Sequence, residues 1–286
     1  MKRFVLTLLT AVLFLHGMAG ARQTGDRVDT LRVLAIGNSF SEDAVEQYLY
    51  ELAKESGVEL IIGNAYRGGQ GLESHWREVS GGNSTFGYRK IVGGTKTDTK
   101  DQALRTIIAD EPWDVITLQQ VSQDSGRPET YEPFLSYLIG YVRALATNPS
   151  VKLGFHQTWA YAPDSTHGGF AHYGKDQATM YAAIVDAVER AVKRHAVLSF
   201  VVPSGTAIQN ARTSSLGNNL TRDGYHLDFG IGRYIAACTW LEAVTGKTAV
   251  GRAFRPQGVS AGAAAIAQQS AHQAVVTPNA VTSMAK

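Results

Sequence analysis

The chain has 286 residues, 44% of them hydrophobic and 18% charged, the balance of an ordinary globular protein. Its length fits one large α/β domain as easily as two small ones. A net charge of +2 with no basic stripe argues against a dedicated nucleic-acid binder.

The first residues read as an export leader. Lys2 and Arg3 precede an apolar run over residues 4–15, and small residues follow, ending Ala19-Gly20-Ala21, an A-x-A cleavage pattern. The run is too short for a spanning helix, which needs about 20 apolar residues. An uncleaved anchor is the alternative reading. No Cys near the cleavage point could carry a lipid. The expectation is an exported protein, periplasmic or secreted, cut near Ala21, with residues 22–286 as one domain and no integral membrane segment once the leader is gone.

Beyond the leader, apolar strands are expected at 31–36, 59–65, 114–119, 151–157 and 197–202. Several are near-continuous Val/Ile/Leu runs, as parallel strands buried on both faces require. Helices alternate with them. In the first, Val45, Tyr48, Leu49 and Leu52 fall at i, i+3, i+4 and i+7. Ser41 can cap it, Glu42 and Asp43 suit the positive end of its dipole, and Gly57 can stop it. Further helices are expected at 99–110, 131–146, 177–195 and 230–244, and a last one from 260 to about 275, with Pro278 beyond. Residues 77–100, with Gly81-Gly82 and Gly93-Gly94, read as an insertion that a hairpin would suit. Residues 160–175 form a long loop, and long loops in compact domains are often binding loops or lids.

Five strands alternating with helices specify a parallel sheet covered on both faces, an α/β sandwich. In such sheets ligands bind beyond the carboxyl ends of the strands. Two motifs fall there. Gly37-Asn38-Ser39-Phe40-Ser41 lies between the first strand and the first helix, where free N–H groups favour negative charge. Asp223-Gly224-Tyr225-His226 precedes the helix at 230–244. A Ser nucleophile needs a base, and the base needs a carboxylate to orient it; an Asp three residues before a His can meet it within one turn. Taken singly, the first motif reads as a helix cap and the second as a chance pattern. Together they can reach one edge of the sheet.

On these residues the chain resembles the SGNH/GDSL hydrolases. The first motif looks like their Gly-Asp-Ser-Leu-Ser block, and the second like their closing D-x-x-H block. The segments Trp113–Gln120, His156–Tyr161 and Thr221–Leu227 resemble an exported branch of that superfamily, over about residues 31–246. The resemblance implies a three-layer α/β/α sandwich of flavodoxin-like topology with a five-stranded parallel sheet. It also implies a serine esterase with Ser39 as nucleophile, His226 as general base and Asp223 as its orienter, needing no metal or cofactor. Oxyanion donors would be the Ser39 N–H, the N–H of Gly69 (with Gly68 beside it) and a side-chain amide. The family's Asn for this last role is absent. Gln119, Gln120 and Gln123 are the candidates, with Gln120 favoured by its place at the strand end and Gln123 by ungapped spacing. Asn38 stands where Asp is commoner in the family.

Other residues have structural as well as functional readings. His156 and Trp159 follow the fourth strand and could line the substrate pocket, or fill the core. His75 could support the site from behind. Tyr66, Trp76, Trp159, Tyr161 and Tyr225 could stack on a sugar, and Gln209, Asn210 and Arg212 could meet a polar substrate or sit in a solvated loop. Cys238, the only cysteine, fits buried packing. Eight His residues occur without H-E-x-x-H or H-x-H spacing, and no G-x-S-x-G or nucleotide-binding glycine motif is present. The expected substrate is a small-molecule or glycan ester, foremost an O-acetyl group on an extracellular carbohydrate. O-acyl transfer by the same residues, or glycan binding without catalysis, are the rival readings.

Overall fold

A computed structural model describes residues 30–285. The expected leader, residues 1–21, lies outside the described residues. The strands are β1 (Thr30–Gly37), β2 (Glu59–Tyr66), β3 (Ser84–Val92), β4 (Thr95–Ala103), β5 (Val115–Leu118), β6 (Lys152–His156) and β7 (Leu198–Val202). They form one sheet in the order β4-β3-β2-β1-β5-β6-β7. β2, β1, β5, β6 and β7 run parallel, while β3 and β4 are antiparallel additions at one edge. The sheet therefore has seven strands, not the five expected.

The two extra strands come from the segment read as an insertion and from the start of the helix expected at 99–110. Thr95–Ala103 is exposed and polar until its last residue. Only its pairing with β3 makes it a strand, so no buried stripe announces it. Gly93 and Gly94, with φ of 58° and 78°, form the two-residue hairpin turn that needs left-handed backbone at both central positions. The helix that follows is short, α4 (Leu104–Asp110).

The first helix is broken in two, α1 (Ser39–Val45) and α2 (Leu49–Glu55). Val45, Leu49 and Leu52 are buried, so the apolar stripe was read correctly, but Tyr48 between them has φ 69°. Tertiary ties interrupt the continuous helix. Glu46 accepts from Asn64 and Arg89, and the Tyr48 hydroxyl donates to the Phe229 carbonyl. Asn38, not Ser41, is the cap of α1, its Oδ1 accepting from the Phe40 N–H.

The remaining helices are α3 (Leu72–Ser80), α5 (Phe134–Leu145), α6 (Gln177–Arg194), α7 (Ser204–Arg212), α8 (Ile231–Thr245) and α9 (Ala261–Val276). α8 is buried nearly all round, including Cys238, and packs against α1, α2, α7 and α9. α3 and α4 pack on α5. No helix among the described residues is long and apolar enough to cross a membrane.

From β1 the chain moves to β2 on one side and later to β5 on the other, so a topological switch point lies at the carboxyl end of β1. Ser39 stands there.

Candidate active site

The turn that carries Ser39 is set by a glycine. A Cβ on Gly37 would sit 2.6 Å from Gln119 Oε1 and 2.7 Å from Ser41 Oγ, so β1 can end here only without a side chain. Asn38 then organises the turn from below. Its Oδ1 accepts from the Phe40 N–H at 3.0 Å and from Gln119 Nε2 at 2.8 Å, and its Nδ2 donates to the Gln70 carbonyl at 2.8 Å. An Asp could not make that last bond, which accounts for Asn where the resembled family has Asp. The bond ties the Ser39 turn to the Gly68-Gly69 turn. Gly69, at φ 67°, holds a left-handed conformation costly to other residues.

The structure brings Ser39, His226 and Asp223 together. Ser39 Oγ lies 2.8 Å from His226 Nε2, and His226 Nδ1 lies 2.7 Å from Asp223 Oδ2. Asp223 Oδ1 accepts from the N–H groups of Tyr225 and His226, curling the loop so that carboxylate and ring face each other. Burial pushes the Asp223 pKa up, but the hydrogen bonds from the His226 ring and the two N–H groups outweigh it and leave it below the ordinary value. The carboxylate is therefore ionised beside the imidazole.

Asp43, read from the sequence as a dipole partner, holds this loop against α1. It is fully buried and accepts from Arg222 at 3.1 Å, Arg233 at 2.5 Å and the Leu227 N–H at 2.8 Å. Burial raises its pKa, while Arg233 and Arg222 pull the other way. Arg222, one residue before Asp223, was the available signal. Phe40 flanks the His226 ring at 5.9 Å between centroids and stacks on Trp159 at 4.3 Å.

Around Ser39 lies a pocket of about 300 Å³, lined by Phe40, Tyr66, Gly69, Gln123, His167 and Tyr225 among others. Several expected site residues are elsewhere. Trp159 is buried, and its indole N–H donates to the Tyr225 carbonyl at 2.7 Å, bracing the loop from behind. His156 is buried, with Nδ1 3.1 Å from Gln119 Oε1 and Nε2 3.0 Å from Ser204 Oγ. Because Gln119 donates its amide N–H to Asn38, its oxygen must accept, so His156 carries its proton on Nδ1. Burial lowers the His156 pKa to about 3. Gln120 is also buried. Its Oε1 accepts from the N–H groups of Leu72 and Val121, and its Nε2 donates to Thr130. It caps the start of α3 and does not reach the pocket. Of the three glutamines, Gln123 does.

Among the aromatics, Tyr66 and Tyr225 line the pocket, Tyr161 is buried with its hydroxyl 2.8 Å from Ser122 Oγ, and Trp76 packs on Tyr137. His75 is buried against Phe86. Asn210 and Arg212 lie buried on α7, bonded to the carbonyls of Ser270 and Ala160, and Gln209 bonds Gln177 and Arg212; the segment read as a loop is a helix that packs.

His167, on the long loop over residues 160–175, belongs to no motif that marks it in the sequence. Its Nδ1 accepts from the Gly169 N–H at 3.1 Å, so the neutral ring carries its proton on Nε2, and the residue lines the pocket. The loop that carries it is anchored. Phe170 and Tyr173 are buried, and the Tyr173 hydroxyl donates to the Gln123 carbonyl at 2.9 Å, which ties the segment to the turn that carries Gln123. Among the described residues no group of three or more His, Cys, Asp or Glu could hold a metal ion.

Residues 32–274 match a family described as a domain of unknown function, DUF4886. A DUF4886 family protein from Bacteroides uniformis is 45% identical, with a TM-score of 0.86 over 90% of this chain and 98% of that one. A candidate SGNH hydrolase from Slackia heliotrinireducens superposes with a TM-score of 0.51 at 19% identity, over 75% of this chain and 99% of that one; at that identity the likeness is one of fold. No curated protein matches the chain. With most of its described length matched, the chain belongs to the DUF4886 family.

Proposed function

We propose that the protein is an exported serine esterase that removes small acyl groups, foremost acetyl, from a hydroxyl-rich substrate such as an extracellular carbohydrate. The observation that carries this reading is the continuous hydrogen-bonded line from Ser39 Oγ through His226 to Asp223, opening on a pocket at the switch point of the sheet. Ser39 Oγ attacks the ester carbonyl while His226 Nε2 takes its proton, and Asp223 steadies the imidazolium that forms. The oxyanion meets the N–H of Ser39, free because it opens the helix, the N–H of Gly69 and the amide of Gln123. Collapse of the intermediate releases the alcohol with the proton from His226 and leaves an acyl group on Ser39. A water, deprotonated by His226, then attacks the acyl carbonyl, and the acid leaves as His226 returns that proton to Ser39 Oγ.

A pocket of about 300 Å³ at the small end for ligand sites supports a short acyl group. Polar groups in its lining, Gln123, His167 and Tyr225, support a polar alcohol. The test is turnover of p-nitrophenyl acetate by the mature protein and by Ser39→Ala. Loss of activity in the variant by at least 10⁴-fold is expected, in line with roughly 10⁶ for loss of a serine nucleophile. An inert wild type would leave glycan binding as the better account.

A further inference from the structure

We propose that the cleft between the β3–β4 hairpin and the turn after β2 is a second subsite, which takes the sugar unit next to the one carrying the ester. This rests on the esterase reading of Ser39. The cleft holds about 360 Å³ and is lined by Tyr66, Arg67 and Gly68 at the end of β2 and by Gly87, Lys100 and Asp101 of the hairpin. Tyr66 and Gly68 also line the Ser39 pocket, so the two spaces meet at these residues. A chain leaving the Ser39 pocket past Gly68 enters the cleft.

The hairpin is irregular at this point. Phe86 pairs with Gln102 and Tyr88 with Thr99, so Lys100 and Asp101 together oppose Gly87 alone. This is a β-bulge, a device that re-aims side chains and gathers near functional sites. Asp101 has φ 53°, a left-handed conformation that Asp tolerates better than most non-glycine residues. Opposite the bulge, the bare Gly87 forms the floor.

The charges name the ligand. Arg67 is held by Glu78 at 3.2 Å. Arg89 is held by Glu42 and Glu46 and lies 3.7 Å over the Tyr66 ring. Both guanidinium groups are thus paired with carboxylates, and an anion drawn to Lys100 would also meet Asp98 and Asp101. Lys100 beside Asp101 sets a donor next to an acceptor. A hydroxyl both donates and accepts, so a neutral, hydroxyl-rich chain fits where an alkyl chain or an anion does not.

A Cβ on Gly87 would meet nothing closer than 3.8 Å, so Gly87→Leu can be built and would fill the cleft. Asp101→Gly suits the left-handed backbone while removing the carboxylate, and Asp101→Asn keeps both the backbone preference and hydrogen bonding. The experiment measures kcat/KM on acetylated gluco-, xylo- and manno-oligosaccharides of one to three units. p-Nitrophenyl acetate serves as the gauge of Ser39 chemistry in each variant. In the wild type, at least one series gains ten-fold or more from one unit to two, chiefly through KM. Normalised to p-nitrophenyl acetate, Gly87→Leu and Asp101→Gly reduce that gain below three-fold, and Asp101→Asn retains it. Active wild type with no gain in any series, or a full gain retained in Gly87→Leu, overturns the subsite. A wild type that turns over no ester overturns the reading of Ser39 itself, and the subsite with it.

Discussion

Two layers of polar side chains meet at the end of β1, and they differ in what their hydrogen bonds do. In the lower layer, Asn38, Gln119, Gln120 and His156 are buried and bonded to one another, to backbone or to Ser204. In the upper layer, Ser39, His226, Gln123 and His167 face a pocket. The residue types are the same in both layers, imidazoles, amides and hydroxyls. What separates the two layers is access: the lower groups are closed into the core, while the upper ones border a space that a ligand can enter.

Substitutions in the upper layer should cost rate, and those in the lower layer stability. After Ser39→Ala, the largest effect is expected for Asp223→Asn, which keeps the shape but favours the wrong His226 tautomer. Turnover of p-nitrophenyl acetate should fall about 10⁴-fold with little change in thermal stability. Gln123→Ala should lower kcat about 10²-fold, the usual loss for one oxyanion donor. Gln120→Leu strands the N–H groups of Leu72 and Val121, so urea unfolding should show a loss of about 1–3 kcal/mol. Its kcat should stay within ten-fold of wild type. A reversal, with Gln120→Leu slow and stable and Gln123→Ala fast, would exchange the roles of the two glutamines.

The last effect concerns pH. Burial lowers His156 to about 3, and burial with the nearby Arg67 charge lowers His75 to about 3, against an ordinary 6.5. Below that ordinary value the unfolded chain takes up protons that the folded protein refuses. The stability these residues contribute is therefore complete above about pH 6.5 and lost as pH falls toward 3. Each should steepen the decline by about 1.4 kcal/mol per pH unit. Urea titrations at pH 7, 6 and 5 should show this slope, and His156→Gln should remove one proton's share of it; an unchanged slope would mean that His156 takes up its proton while folded.

The same contrast explains how much of the molecule was legible in the sequence. The parallel strands were, because burial on both faces leaves an unbroken apolar run such as Val33–Ile36. Ser39, Asp223 and His226 were readable as two local motifs at strand ends. The edge hairpin was not, because Thr95–Ala103 has no buried stripe and exists only through its partner strand. The α1–α2 break was hidden because its cause, the contacts of Glu46 and Tyr48, lies far along the chain. His156, Trp159 and Gln120 were assigned to the pocket by their place after a strand. That position alone cannot tell a side chain on the rim from one folded beneath it.

The central claim is that the Ser39 hydroxyl is activated by the His226–Asp223 pair. Intact-mass and peptide mapping after fluorophosphonate treatment tests it most directly. The account predicts a single adduct on Ser39, formed by the wild type and at least 10³-fold more slowly by His226→Ala. No adduct on the wild type, an adduct on another residue, or equal labelling of His226→Ala would contradict it.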